Sequence, residues 1–390
     1  MNTGKYVFAQ IADHLPSRIF DKCVARYSGN KYLRHFKCWN QLLSMMFGQM
    51  SNRDSLRDLL VCIEAHSSKY YHLGFGKNVS RSNLANANEK RDYRIFEDFA
   101  YEVINIARSE SLKDSDFNLG IKSNIYALDA TVIDLCLSVF WWAAFRQNKG
   151  AVKIHTLYDI KTSIPSFILI TPGDVHEVHG MDHISYERGA YYIMDRAYLD
   201  FKRLFVLDSC GSFFVTRTKS NSNLIRIASM QVDKNLGIKC DQIVKPSSFY
   251  PARDYPKKLR RIKYHDSEQN RTIVFLTNNF KLKATTIAAL YKNRWKVELF
   301  FKWIKQHLKI KSFWGQSENA VKTQVYIAII TYTLVAIIRN RIANDRSTYE
   351  ILQILSVSLL DKTPLNQLFA ESVNQEIKEQ EYNQLKLSLI

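Results

Sequence analysis

The spacing of apolar residues changes once near residue 120 and again near residue 281, and these changes divide what the chain can fold into. Upstream, apolar residues recur at helical spacing in YVFAQIADHL, NQLLSMMFGQM, SLRDLLVCIEAH and RIFEDFAYEVINIA. From about 121 the period falls to two. NIYALDATVIDL, CLSVFWWAAF, AVKIHTLYDI and SFILITPG predict successive strands. AYYIMDRAYLDF follows after a gap long enough for one helix, and SFFVTRTK, GIKCDQIVK, LRRIKYHD and RTIVFLTNN form a second run of strands. Helical spacing then returns and continues through VYIAIITYTLVAII. This order predicts a mixed α/β core with a β-rich insertion, preceded by a helical region. The boundaries fall at 1–115, 120–205, 206–280, 281–345 and 346–390, the last a polar helical tail.

One segment of the returning helical part has an unusual polar face. AALYKNRWKVELFFKWIKQHLKI reads as one continuous helix. Tyr291, Arg294, Glu298 and Lys305 are separated by three, four and seven residues. At about 100° per residue their side chains share one face. A phenol, a guanidinium, a carboxylate and an ammonium together suit a metal-bound phosphate backbone better than a protein core. Trp295, Phe300, Phe301, Trp303 and Ile304 surround this face and are expected to pack the helix on the sheet.

The charge points to the same class of partner. The 390 residues include 55 Lys and Arg against 37 Asp and Glu, a formal net charge of +18. An excess this large favours a polyanion, either nucleic acid or an anionic membrane surface. The basic residues are spread along the chain and interleaved with Tyr and Phe. The apolar run Val325 to Ile338 is too short to cross a bilayer and reads as a buried core helix. Cys23, Cys38, Cys62, Cys136, Cys210 and Cys240 are scattered without a CxxC pair, and no secretory signal precedes the first helix. Free thiols in a reducing cytoplasm are the plain reading.

Two aspartates stand at strand ends in apolar surroundings, Asp129 after IYAL and Asp195 after YYIM. Each taken singly also reads as a cap or turn residue. With Glu298 they supply three hard oxygen donors of the kind Mg2+ prefers. Two such ions about 3.5–4 Å apart can activate an attacking oxygen and stabilise a leaving one in phosphoryl transfer.

ALDAT around Asp129, MDRAY around Asp195 and the Tyr-x2-Arg-x3-Glu-x6-Lys spacing resemble the DDE transposases of bacterial insertion sequences, in the group defined by that signature helix. NKGAVKIHTLYDI and SIPSFILITPG resemble the same group between its first two aspartates. ANANEKRDYRIFEDFAYE resembles the helical domain that precedes the core in one branch of it. The resemblance implies an RNase H-like catalytic core interrupted by the β-rich insertion, with an N-terminal helical DNA-binding domain. It implies that Asp129, Asp195 and Glu298 are catalytic and ligate two Mg2+ or Mn2+ ions. Tyr291, Arg294 and Lys305 would contact DNA near the cleavage site, and Arg196 and Tyr198 would help to orient the strand. The partners implied are double-stranded DNA at transposon ends and at the target, bound by a dimer in a bacterial cytoplasm at the nucleoid, with no membrane. Similar enzymes cut at the element end, pass through a hairpin and join the freed end to target DNA. That route uses an aromatic residue of the insertion to hold a flipped base. No Trp lies between Trp142 and Trp295, which leaves Phe249, Tyr250, Tyr255 or Tyr264 for that task. A metal-dependent nuclease of the same fold, and a catalytically silent DNA-binding regulator, are the alternatives.

Other signals admit two readings each. The stretch HLGFGKNVSRSNLANANEKRDYR is either part of a DNA-binding module, with a short serine-preceded helix docked on phosphate, or a solvated loop. Arg146 and Lys149 lie in FRQNKGAVK, a basic hairpin beside the site or a solvated turn. Pro246 to Tyr264 interleaves aromatics with basic residues, which suits DNA contact or a charged edge strand. His176, His179 and His183 invite a metal reading but fit a polar loop better, and His35 with Cys38 lacks a second ligand pair.

Overall fold

The structure is a computed structural model that describes residues 4–75, 79–111, 119–135, 140, 142–146, 149–219, 222–307, 313–342 and 346–370. Six helices come first: α1 (Val7–Ala12), α2 (Ser17–Arg26), α3 (Cys38–Met50), α4 (Leu56–Ala65), α5 (Arg81–Lys90) and α6 (Arg94–Ser111). Side-chain caps start two of them. Ser55 accepts from the Asp58 amide at α4, and Ser80 accepts from the Asn83 amide at α5.

The sheet follows, with β1 (Ile125–Leu135), β2 (Ala144–Arg146), β3 (Lys149–Asp159), β4 (Ile164–Pro172) and β5 (Tyr191–Met194). Then come α7 (Phe201–Ser209), β6 (Phe213–Arg217), β7 (Leu224–Met230), β8 (Ile238–Pro246), α8 (Phe249–Asp254), β9 (Leu259–Asp266) and β10 (Arg271–Thr277). Helices α9 (Ala284–Lys292), α10 (Trp295–His307), α11 (Glu318–Ile342), α12 (Thr348–Ser358) and α13 (Leu365–Phe369) complete the described chain. The strands form one sheet in the order β2-β3-β1-β5-β6-β10-β9-β8-β7, with β4 also beside β3. β3 runs antiparallel to both β1 and β4, whereas β1, β5 and β6 are mutually parallel.

Period-two alternation decides which side chains face which layer. In β1, Ile125 and Ala127 join the larger apolar cluster, and Tyr126 and Leu128 join the smaller one on the opposite face. In β5, Tyr191 and Ile193 divide from Tyr192 and Met194 in the same way. The larger cluster runs continuously from α1 through α6 to α9, α10, α11 and α12, so the N-terminal helices share their core with one face of the sheet. Helix α11 is the centre of that layer and packs against α3, α5, α6 and α12. It is long and apolar enough to cross a membrane, longer than the run read from sequence, but its apolar residues are buried on those neighbours.

Several sequence expectations change here. The signature segment is not one helix: α9 stops at Lys292 and α10 starts at Trp295. The Asn293 side chain turns back to the Ala289 carbonyl at 2.9 Å. Backbone bonds from Arg294 to Tyr291 and from Lys296 to Asn293 tighten the junction to three-residue spacing. CLSVFWWAAF yields only the three-residue β2, and residues 136–139 and 141 of it lie outside the described residues. The gap before β5 holds a 3-10 stretch, Glu177–His183, in place of a full helix. Strands β7 and helix α2 were not expected; β7 is an edge strand with exposed side chains and so carries little apolar alternation. SFFVTRTK becomes β6 beside β5, so the insertion adds β7 to β10 to the same sheet. Trp295 is half exposed, unlike Phe300, Phe301 and Ile304, which are buried as expected. The tail beyond 370 and Cys136 lie outside the described residues.

One buried ion pair ties the added strands to the start of α9. Arg260 on β9 bonds Asp241 on β8 at 2.7 and 2.9 Å, and also donates to the Asn279 and Leu282 carbonyls after β10. Both side chains are almost fully buried. Asp241→Ala leaves a buried guanidinium without its counter-ion and is expected to cost about 3–5 kcal/mol. Urea unfolding checks this, and a loss below about 1 kcal/mol would show the pair to be dispensable.

Candidate active site at the ends of two parallel strands

Parallel pairing of β1 with β5 brings the two aspartates together. The register sets Leu128 opposite Met194, so Asp129 and Asp195 are the next residues on neighbouring strands. β5 ends there, and Asp195 caps a 3-10 turn by accepting from the Arg196 amide at 2.7 Å. β1 continues to Leu135 on β3 alone, so Asp129 sits where the sheet opens. Asp129 Oδ1 accepts from the Ala130 amide at 2.9 Å.

Helix α9, its junction with α10 at residues 293–294, and α10 itself, which packs on β1, supply the rest. Arg294 Nη1 donates to Asp129 Oδ2 at 2.7 Å, and its Nη2 donates to Glu298 Oε1. One guanidinium therefore holds two carboxylates that come from residues 129 and 298. Arg294 and Asp129 are largely buried, while Glu298 is 55% exposed. Tyr291 is 7% exposed, and its hydroxyl lies 3.5 Å from Asp195 Oδ1, at the edge of hydrogen-bond reach. Lys305 Nζ donates to the Val132 carbonyl at 2.7 Å, which pins the far end of α10 to β1.

Residues 121–334 match the family described as Transposase DDE domain, which is more than half of the chain. A protein of Sinorhizobium fredii that carries a transposase name, y4zB, is 34% identical over 65% of this chain and 70% of its own. The chain belongs to the DDE transposase family. A Synechocystis protein named as a transposase for insertion sequence element IS4SA is 27% identical over 67% of this chain and 73% of its own. A Geobacillus stearothermophilus protein named as a transposase for element IS5377 is 29% identical over 53% of this chain and 54% of its own. Residues 3–76 match a domain of unknown function (DUF4372).

Within this transposase the sequence-selected residues take different places. Asp129 and Glu298 share Arg294, and Tyr291 approaches Asp195 on the neighbouring strand, with Arg196 exposed beside Asp195. Tyr198 is 0% exposed, so it cannot touch a strand from the surface. Its hydroxyl is buried without a hydrogen-bond partner, in the field of Asp129, Glu177, Arg294 and Asp195. Arg146 and Lys149 stand on the β2–β3 hairpin, and their side chains lie outside the described residues. Tyr255 is also buried and cannot stack on a base, whereas Phe249 and Tyr250 are exposed on α8. His179 is turned toward Asp182 and Arg203, and Cys38 is buried while His35 is exposed.

Two residues of the site escaped the sequence reading. Glu177 opens the 3-10 stretch after β4 and adds a negative field at Asp129. Arg217 ends β6, level with Asp195 by the Ile193–Val215 register, and approaches the Tyr291 phenol. A strand-end arginine or a loop glutamate carries no spacing signal that separates it from ordinary surface charge.

Among the described residues no three acidic, histidine or cysteine side chains converge tightly enough to enclose an ion. The donor chemistry nevertheless fits a hard cation: carboxylate oxygens are the donors Mg2+ takes, and those of Asp129 and Glu298 already converge on one positive group, the Arg294 guanidinium. Burial pushes the Asp129 carboxyl up to about 6; Glu298 and Glu177 add to this, and Arg294 and the Ala130 amide oppose it. Burial likewise raises the Tyr291 phenol, which stays a donor at neutral pH.

The folded Asp129 binds its proton more tightly than the unfolded chain, whose Asp titrates near 3.9. Its contribution to stability is thus full below about pH 4 and is lost as pH rises through about 6. Asp129→Asn has no such loss, so it should gain on the wild type by about 1–3 kcal/mol across that window. Urea midpoints of both proteins from pH 4 to 7.5 measure this. Parallel curves would show that Asp129 is not held under strain.

Proposed function

We propose that this DDE transposase binds the terminal inverted repeats of an insertion sequence, cleaves the DNA there and joins the freed end to a target. The observation that carries the reading is the parallel β1–β5 pairing, which sets Asp129 and Asp195 side by side under the helix bearing Glu298. The strand order β4-β3-β1-β5-β6, with the first three antiparallel and the last three parallel, supports an RNase H-like core. The spacing of Tyr291, Arg294, Glu298 and Lys305 supports the group with the signature helix.

In this reading Asp129, Asp195 and Glu298 would hold Mg2+ or Mn2+, two ions in all. Bound there, such ions supply a lowered pKa for an attacking oxygen and neutralise charge on the leaving one. The protein's own residues set the conditions. Arg294 must leave Asp129 and Glu298 before these carboxylates can converge, and a DNA phosphate is the natural acceptor for its guanidinium. Arg196 and Arg217 flank Asp195 with positive charge suited to phosphodiester oxygens. Tyr291 donates toward Asp195 and limits its rotation. Phe249 and Tyr250 on α8 are the aromatics free to stack on an extruded base, if the hairpin route is used. The chemistry takes place on chromosomal DNA, with a dimer pairing two ends in the bacterial cytoplasm.

Asp129→Asn, Asp195→Asn and Glu298→Gln should each lower Mg2+-dependent cleavage by about 100-fold or more while duplex binding stays within about threefold. The substrate is a duplex spanning the boundary between the gene's flanking DNA and its neighbour. Cleavage that survives any one change removes that residue from the site. Cut ends that are never joined to a second duplex would favour the nuclease reading over transposition.

A further inference from the structure

A second polar site lies in the helical region. A cleft of about 660 Å3 separates the loop after α2 from the outer face of α5. Lys31, Tyr32 and Arg34 line one wall, and Asn83, Asn86 and Lys90 line the other. All six are exposed.

Helix α5 contains three asparagines, a poor choice for a helix interior on propensity alone. The core explains one of them. Asn88 faces inward, where it accepts from Gln41 at 2.7 Å and its carbonyl accepts from Asn319. Asn83 and Asn86 lie on the opposite, solvent-facing side with Lys90, at helical spacing, and no protein group bonds their side-chain amides among the described residues. The facing loop is held firmly. Arg91 stacks on Phe36, donates to its carbonyl and bonds Gln41, which closes the floor of the cleft. Asn30 accepts from the Cys38 amide at 2.8 Å, and a Cβ on Gly29 would collide with Ile95. Above this root Tyr32 has a φ of 61°, a left-handed conformation costly for an aromatic residue, and its ring is 91% exposed. The acidic residue at the rim, Asp92, is already bonded to Arg94.

We propose that this cleft is where the chain reads the base sequence of duplex DNA, with Asn83 and Asn86 on adenine edges in the major groove and Lys31, Arg34 and Lys90 on the flanking phosphates. The proposal rests on the transposase reading only for its choice of DNA as partner. An exposed helix is the element that a major groove admits, and asparagine amides pair two-fold with adenine N6 and N7. Lysine and arginine on both rims bind backbone phosphate without regard to sequence. Tyr32 offers a flat face against a sugar or a base edge.

Selection from a library of duplexes with about 20 random base pairs, two turns of DNA, tests this with the full chain. The wild type should enrich a motif containing adenine. The double variant Asn83→Ala with Asn86→Ala should lose about tenfold preference at each adenine it contacted and keep its affinity for unselected duplex within about twofold. Replacing Lys31, Arg34 and Lys90 by Ala should instead weaken every duplex and reduce the log–log salt slope by about 2–3. An unchanged motif in the asparagine variant, no motif in the wild type, or tighter binding of single strands than of duplex would each overturn the proposal. The enzyme reading fails separately, if the wild type enriches a motif but does not cut it with Mg2+.

Discussion

The carboxylate of Asp129 sits where a bare negative charge is costly, and the Arg294 guanidinium is what makes that place tolerable. Most of the site follows from this contact. Arg294 reaches Asp129 from the junction just before α10, and the same guanidinium bonds Glu298 on the first turn of that helix. Lys305 fixes the far end of that helix on the Val132 carbonyl. The junction at Asn293 lets Tyr291 leave the axis of α10 and reach toward Asp195 from the preceding helix. One cation is thus shared by two acids that come from distant parts of the chain.

The surrounding architecture serves to hold two strand ends and one helix in register. The first half of β1 is buried on both faces, with α11 and its helical neighbours on one side and the α7 layer on the other. Such a strand cannot slip by one residue without sending Leu128 and Asp129 to the wrong layers. The N-terminal helices are part of this frame. Tyr101 on α6 bonds the Ile168 carbonyl of β4, and Gln49 on α3 bonds both the Gln324 carbonyl and the Thr331 hydroxyl of α11. The inserted strands β7 to β10 are likewise continuous with the sheet, and Arg260 with Asp241 links them to the start of α9.

Strands with strong alternation were legible from residues alone: β1, β3, β4, β5 and β10 lie where IYAL, KIHTLY, FILI, YYIM and TIVFL predict them. β7 was not, because an edge strand with solvent on both sides has no apolar face to display. The break between α9 and α10 leaves no mark in the sequence pattern, because the four polar residues keep helical spacing across it; it shows only in the three-residue backbone bonds at residues 294 and 296. Tyr198 and Tyr255 look like surface aromatics in a basic context, yet both are packed inside. Glu177 and Arg217 reach the site through the fold and have no local pattern to mark them.

Residue type and near-neighbour spacing by themselves determined the chemistry available to this chain: two aspartates after apolar strands, and a tyrosine, arginine, glutamate and lysine at helical spacing. These are short-range properties, set by the strand and helix periods. Only the tertiary structure decided that β1 and β5 are neighbours, that α10 lies over β1, and that Arg294 now stands between the acids. Those outcomes depend on burying both faces of the sheet at once, which is a property of the whole chain that no local window contains.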